Sequence, residues 1–230
     1  MKKKYQVFKI NITMVNIFVF VLLALCILLL YFLFPDMLYK MLGLYNNNRY
    51  MLMLVPAIIF WSILHELLHA IGYIVNGADA KKITFGAELE KGVFYCLCKE
   101  EITKRNILIS LMYPLFFIGI VTGIISLIYE LPFLLLLSIF NICGAAGDIL
   151  YFIFIIKLDK SMKYSEMDDG TSFAIVTKDD LSKKKPFGLA YVNTVDKIPR
   201  IDFKRIKISK ASYPLLILGV VLVVAAFFIK

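Results

Sequence analysis

The sequence predicts an all-α integral membrane protein: five transmembrane helices, a small cytoplasmic β-hairpin and a short polar cytoplasmic segment. Three observations carry this expectation. Of 230 residues, 60% are hydrophobic and 19% charged, against roughly 25% charged in a soluble domain. The apolar residues are clumped into runs, several of which reach the roughly 20 residues needed to cross a bilayer. Basic residues crowd alternate connections between those runs, as loops facing the cytoplasm do.

The elements follow in order. The first run covers about 11–34 and stops at Pro35. Lys2, Lys3 and Lys4 precede it as they would precede a signal peptide. The run is too long for a signal h-region, however, and no small-x-small cleavage site follows, so a retained helix is expected. Further spans are expected at about 51–75, 106–128, 131–156 and 213–228. Residues 1–50 then form an N-terminal helix with an external loop, and 51–156 a membrane core of three helices plus a cytoplasmic hairpin. Residues 157–212 form a basic cytoplasmic segment, and 213–230 a C-terminal helix. In the hairpin, at 82–102, Ile83-Thr84-Phe85 and Val93-Phe94-Tyr95 flank a turn at Glu90-Lys91-Gly92. In the basic segment, Phe173-Ala174-Ile175-Val176 reads as a short β-like piece, in a stretch too small to build a large core.

The formal charge of +9 could suggest a nucleic-acid partner, but its placement does not. The N-terminus, the connection holding Lys81, Lys82, Lys91, Lys99, Lys104 and Arg105, and the segment with thirteen basic residues from Lys157 through Lys210 are alternate connections, so all fall on one side of the spans. That pattern places the N-terminus inside and the C-terminus outside a plasma membrane, with anionic lipid headgroups as partners of the basic loops. Cys26 and Cys143 sit within apolar runs. Cys96 and Cys98 alternate on one side of a predicted strand, as reduced thiols facing the cytosol, with a metal-binding pair as the alternative.

Both histidines lie in one string, His65-Glu66-Leu67-Leu68-His69. On a helix, residues four apart share a face, so the two imidazoles can converge on one metal ion. Glu66 then stands beside them, placed to handle a proton on metal-bound water. Catalytic zinc usually takes a third protein ligand. Asp148 is the one other acidic residue well inside an apolar run, and a lone buried carboxylate without a cation would be costly. By loop charge alone, His69 lies roughly 9 Å and Asp148 roughly 12 Å from the cytoplasmic end of their helices, so the two reach similar depth. Asn141, two turns before Asp148, is a candidate to orient a ligand or to hold substrate or oxyanion; helix packing is the alternative. Pro56 and Pro114 can kink their helices and admit water.

The His-Glu-Leu-Leu-His string with a later intramembrane Asp148 resembles the site-2 protease group of intramembrane metalloproteases. It is more similar still to a related bacterial family of zincin peptidases, in which a Gly-Asp pair, here Gly147-Asp148, closes the site. Over about 51–156 the resemblance implies Zn2+ held by His65, His69 and Asp148, with Glu66 as the catalytic base. It further implies a bacterial plasma membrane location and cleavage of a membrane-protein or peptide substrate. By resemblance to the β-element of site-2 proteases, the 82–102 hairpin would pair with an extended substrate. The motif departs from the Asn-Pro-Asp-Gly or Leu-Asp-Gly setting of site-2 proteases, since Ile149 follows Asp148. A membrane scaffold or transporter accessory with a metal site, and a zinc hydrolase of lipids or small amides, are the other readings.

Overall fold

The computed structural model describes residues 4–88, 93–167, 171–177, 179–184 and 186–198. A strand, β1 (Tyr5–Ile10), runs straight into helix α1 (Ile12–Leu33). Asn11 makes the junction, its side chain accepting the Met14 amide at 3.2 Å and so capping a helix with no acidic residue in its first turn. Pro35 opens α2 (Pro35–Gly43), a position where its missing N–H costs nothing, and a 3-10 turn leads to α3 (Asn48–Val75). The hairpin strands β2 (Ile83–Glu88) and β3 (Val93–Cys98) follow, then β4 (Ile102–Thr103) and α4 (Lys104–Pro114). A π-helical stretch, Leu115–Val121, joins α4 to α5 (Thr122–Ile128). Helices α6 (Pro132–Gly144) and α7 (Ala146–Ile155) lead into β5 (Lys163–Glu166), β6 (Ser172–Val176) and β7 (Leu189–Val195).

Helices α1, α3 and the continuous Lys104–Ile128 run are long and apolar enough to cross a membrane, and α6 with α7, bent by 44°, makes a fourth candidate. The span expected at 213–228 lies outside the described residues, as does the hairpin turn at Glu90-Lys91-Gly92.

The all-α expectation is overturned. Beside the hairpin stands a five-stranded antiparallel sheet in the order β4-β5-β6-β1-β7. The N-terminal Tyr5–Ile10 lies inside this sheet, between β6 and β7, and pairs Phe8 with Phe173 on one side and with Tyr191 on the other. Pairing across more than 160 residues leaves no local trace, and strands of two to seven residues are too short to announce themselves by alternation. The β-like piece expected at 173–176 is strand β6, and its partners are β1 and β5. Nor does the sheet need a large core of its own. Phe8, Tyr164, Phe173 and Ile175 share one buried cluster with Ala70 and Tyr73 of α3, Leu111 of α4 and Phe154 of α7.

The strand pairing also constrains how the chain threads. Strand β1 precedes the first candidate span and β6 follows the last described one, yet they are hydrogen-bonded neighbours, so in a membrane the crossings between them would be even in number. Counting the bent α6–α7 pair as one crossing with the three straight helices satisfies this. The intermediate β4 pairs with β5, which puts the connection between α3 and α4 on that same face. On the other face, Lys40 of α2 meets Glu130 of the α5–α6 turn at 2.5 Å.

Candidate metal centre

The motif helix is held where its histidines can be used because α3 and α4 come unusually close. A Cβ on Gly72 would lie 2.7 Å from the Ser110 Cα, so only glycine permits this approach. Across the contact His69 Nδ1 donates to the Ser110 carbonyl at 2.9 Å, while the Ser110 hydroxyl donates back to the His69 carbonyl at 2.8 Å. His65 is fixed from another helix. Asn141 Oδ1 accepts from His65 Nδ1 at 2.8 Å, and Asn141 Nδ2 donates to the Pro114 carbonyl at 3.0 Å, where α4 widens into its π-helical stretch. The Pro114 carbonyl can only accept, so it decides which way the amide points.

These partners settle the tautomers. Both Nδ1 atoms face oxygen acceptors and carry the hydrogens, which leaves both neutral rings with lone pairs at Nε2. Those lone pairs face each other at 3.1 Å, and Asp148 Oδ2 lies 3.1 Å from His65 Nε2 and 3.5 Å from His69 Nε2. Three acceptors thus converge with no hydrogen between them in the neutral-ring state. Tetrahedral zinc with ligand bonds of 2.0–2.2 Å spaces its ligand atoms by about 3.3 Å. The residues fit such an ion in both chemistry and spacing.

Glu66 is the next neighbour. Its carboxylate and the two imidazoles offer ligand atoms all within 4.8 Å of one another. It lies against the Cys96 backbone amide of β3 and lines a cavity of about 210 Å³ together with His65, Asn141 and Phe94. The orientation of β3 explains this contact. The Lys99 amide donates to the Lys82 carbonyl at 2.9 Å, so the amides of Cys98, Cys96 and Phe94 alternate away from β2. The Cys98 amide meets Glu166 Oε2 at 2.6 Å.

The structure therefore brings together His65, Glu66, His69, Asp148 and Asn141. Asn141 stands as a ligand-orienting group, with its carbonyl oxygen and one amide hydrogen committed. Cys96 and Cys98 do fall on one side of β3, but both thiols are buried in the core cluster rather than facing the cytosol. Burial, with Glu166 and Glu66 nearby, pushes the Cys96 thiol well above its ordinary value.

Sequence reasoning missed Glu166. Burial pushes its carboxyl up to about 7, against hydrogen bonds from the Cys98 amide and Tyr73 hydroxyl, the latter at 2.7 Å. Tyr73 sits one helical turn beyond His69 on α3. No sequence signal marked this glutamate, which stands in a basic segment. Ser110 was also missed, because it acts on His69 through its backbone.

Two histidines and an aspartate gathered from two apolar helices, with a carboxylate at their side, are the donor set that a His-Glu-x-x-His metal-dependent hydrolase uses. Residues 58–163 match the model of the family described as Putative zincin peptidase, and the resemblance to zincin peptidases expected from the motifs holds over that segment. The match supports a zinc metallopeptidase at the level of class. No curated protein and no solved structure matches the chain.

Proposed function

We propose that the protein is a zinc-dependent intramembrane endopeptidase, akin to site-2 proteases, that hydrolyses peptide bonds in membrane-embedded or juxtamembrane segments. The observation that carries this reading is the convergence of His65 Nε2, His69 Nε2 and Asp148 Oδ2, 3.1–3.5 Å apart, beside Glu66 and within helices suited to a bilayer. Ionisable groups at such depth are expensive and are kept for function.

His65, His69 and Asp148 would hold the metal, with Asn141 and the Ser110 carbonyl fixing the two rings. Zinc bound there supplies a Lewis acid that acidifies water and polarises a carbonyl. Glu66 takes the proton of the attacking water and carries it to the leaving amine nitrogen. The outward edge of β3 offers backbone groups at Phe94, beside the cavity, so an extended substrate adds there as a strand and presents its scissile bond unwound. A non-enzymatic scaffold would need the ligands but no Glu66.

Glu66→Gln is expected to retain zinc, measured by metal analysis, and to abolish cleavage. Comparative membrane proteomics should then show uncleaved spans accumulating in the variant. Full activity in Glu66→Gln would overturn the assigned role. Trapped lipids in place of peptides would move the substrate class.

A further inference from the structure

The chain has a single tryptophan, and it stands at the proposed active site. Trp61 lies on α3 one turn before His65, lining the 210 Å³ cavity alongside Glu66, Phe94, Phe140 and Gly144. It is 7% exposed, and its indole nitrogen is buried with no hydrogen-bond partner among the described residues. None of the other polar side chains at the cavity bonds to this nitrogen: the Ser62 hydroxyl donates to the Ile58 carbonyl at 2.9 Å, and Asn141 accepts from His65 and donates to Pro114. A buried donor left without an acceptor is costly and calls for an explanation.

The walls indicate what would bring the acceptor. Phe94 and Phe140 are apolar, and a Cβ built on Gly144 would meet nothing within 4 Å, so there is room for an aliphatic side chain. The four residues from Trp61 to His65 rise about 6 Å along the helix. An extended peptide advances about 3.3 Å per residue, so a main-chain carbonyl two residues from the scissile bond spans the same distance.

We propose that Trp61 is a substrate-binding residue, its indole N–H receiving a main-chain carbonyl about two residues from the scissile bond of an extended apolar peptide whose side chain fills the cavity. This rests on the zinc peptidase reading above. The indole nitrogen is closed off from solvent here, so the entering segment must part Trp61 from its packing, which makes the N–H a reporter of entry.

The test uses the full chain, loaded with zinc in detergent, and two probes. Acetohydroxamic acid reaches only the metal; acetyl-Leu-Leu hydroxamate also carries the distant carbonyl. The one indole 1H–15N resonance is expected to move downfield with the second probe and to stay in place with the first. Because the tryptophan is unique, biosynthetic replacement by benzothienylalanine exchanges N–H for sulfur at this position alone while keeping ring shape. The replaced protein is expected to bind the dipeptide hydroxamate about tenfold more weakly and acetohydroxamate unchanged. A dipeptide hydroxamate that binds without moving the indole resonance, or that binds both proteins equally, overturns the role of Trp61 and leaves the metal site standing. Failure of acetohydroxamate to bind protein shown to contain zinc sinks the peptidase reading, and this inference with it.

Discussion

Asn141 spends its amide on alignment. One end holds His65 Nδ1 and the other the Pro114 carbonyl, so a single buried side chain sets both the tautomer and the tilt of a ligand. Gly119 helps to confine it, since a Cβ there would come within 3.2 Å of Asn141 Nδ2. Groups that orient a metal-bound histidine typically contribute 10–100-fold in metal affinity. Asn141→Ala is therefore expected to weaken zinc binding by about that factor, read by competition against a chelator, with the fold retained. Unchanged affinity would mean the ring is held by other contacts. At this scale the sequence was readable because acidic and imidazole groups are scarce in apolar runs: His65, Glu66, His69 and Asp148 are conspicuous there. Ser110 was not, because its carbonyl belongs to the backbone and every residue has one.

The elements around the centre are pinned together by Glu166, which joins β5 to Tyr73 of α3 and to the Cys98 amide of β3. This one carboxylate ties the sheet, the motif helix and the hairpin edge proposed to receive substrate. Burial raises its folded-state pKa to about 7, from an ordinary value of 4.5. The fold thus prefers the protonated form, while the unfolded chain releases the proton earlier. Between those values the folded state binds more protons, so this carboxyl's contribution to stability is fully present below about pH 4.5 and is lost as pH rises through about 7. Glu166→Gln is expected to remove this contribution. Thermal unfolding in detergent across pH 5–8 should show a shallower decline in the variant, and an unchanged decline would assign the pH response to another group. The hairpin strands could be recognised from their β-formers, whereas their attachment through Glu166 depends on contacts 68 residues apart. The glycine that lets α3 meet α4 was likewise invisible, because a glycine in a helix does not name its neighbour.

For the whole molecule, the five-stranded sheet acts as a clasp. It gathers the segment before the first span, the connection before α4 and the segment after α7 onto one face, and the basic residues of the sequence crowd those same three segments. The charge pattern and the strand pairing are separate observations that group the chain alike. Loop charge foresaw the grouping, but not that the grouped segments would pair as strands, because charge acts through the membrane field and carries no register. The positive-inside rule predicts that this face is cytoplasmic. The metal centre is then expected nearer the cytoplasm, since His69 and Glu66 contact the α3–α4 interface and the hairpin on that side. Single cysteines can test this, because the native thiols are buried or half-buried. Tyr45, 77% exposed on the opposite face, and Phe187, 61% exposed on the sheet side, are suitable sites. With a membrane-impermeant maleimide on intact cells, Tyr45→Cys is expected to label directly and Phe187→Cys only after the membrane is opened. The reverse pattern would invert the orientation and turn the active site toward the exterior. Labelling of both in intact cells would contradict the even count of crossings that the β1–β6 pairing requires.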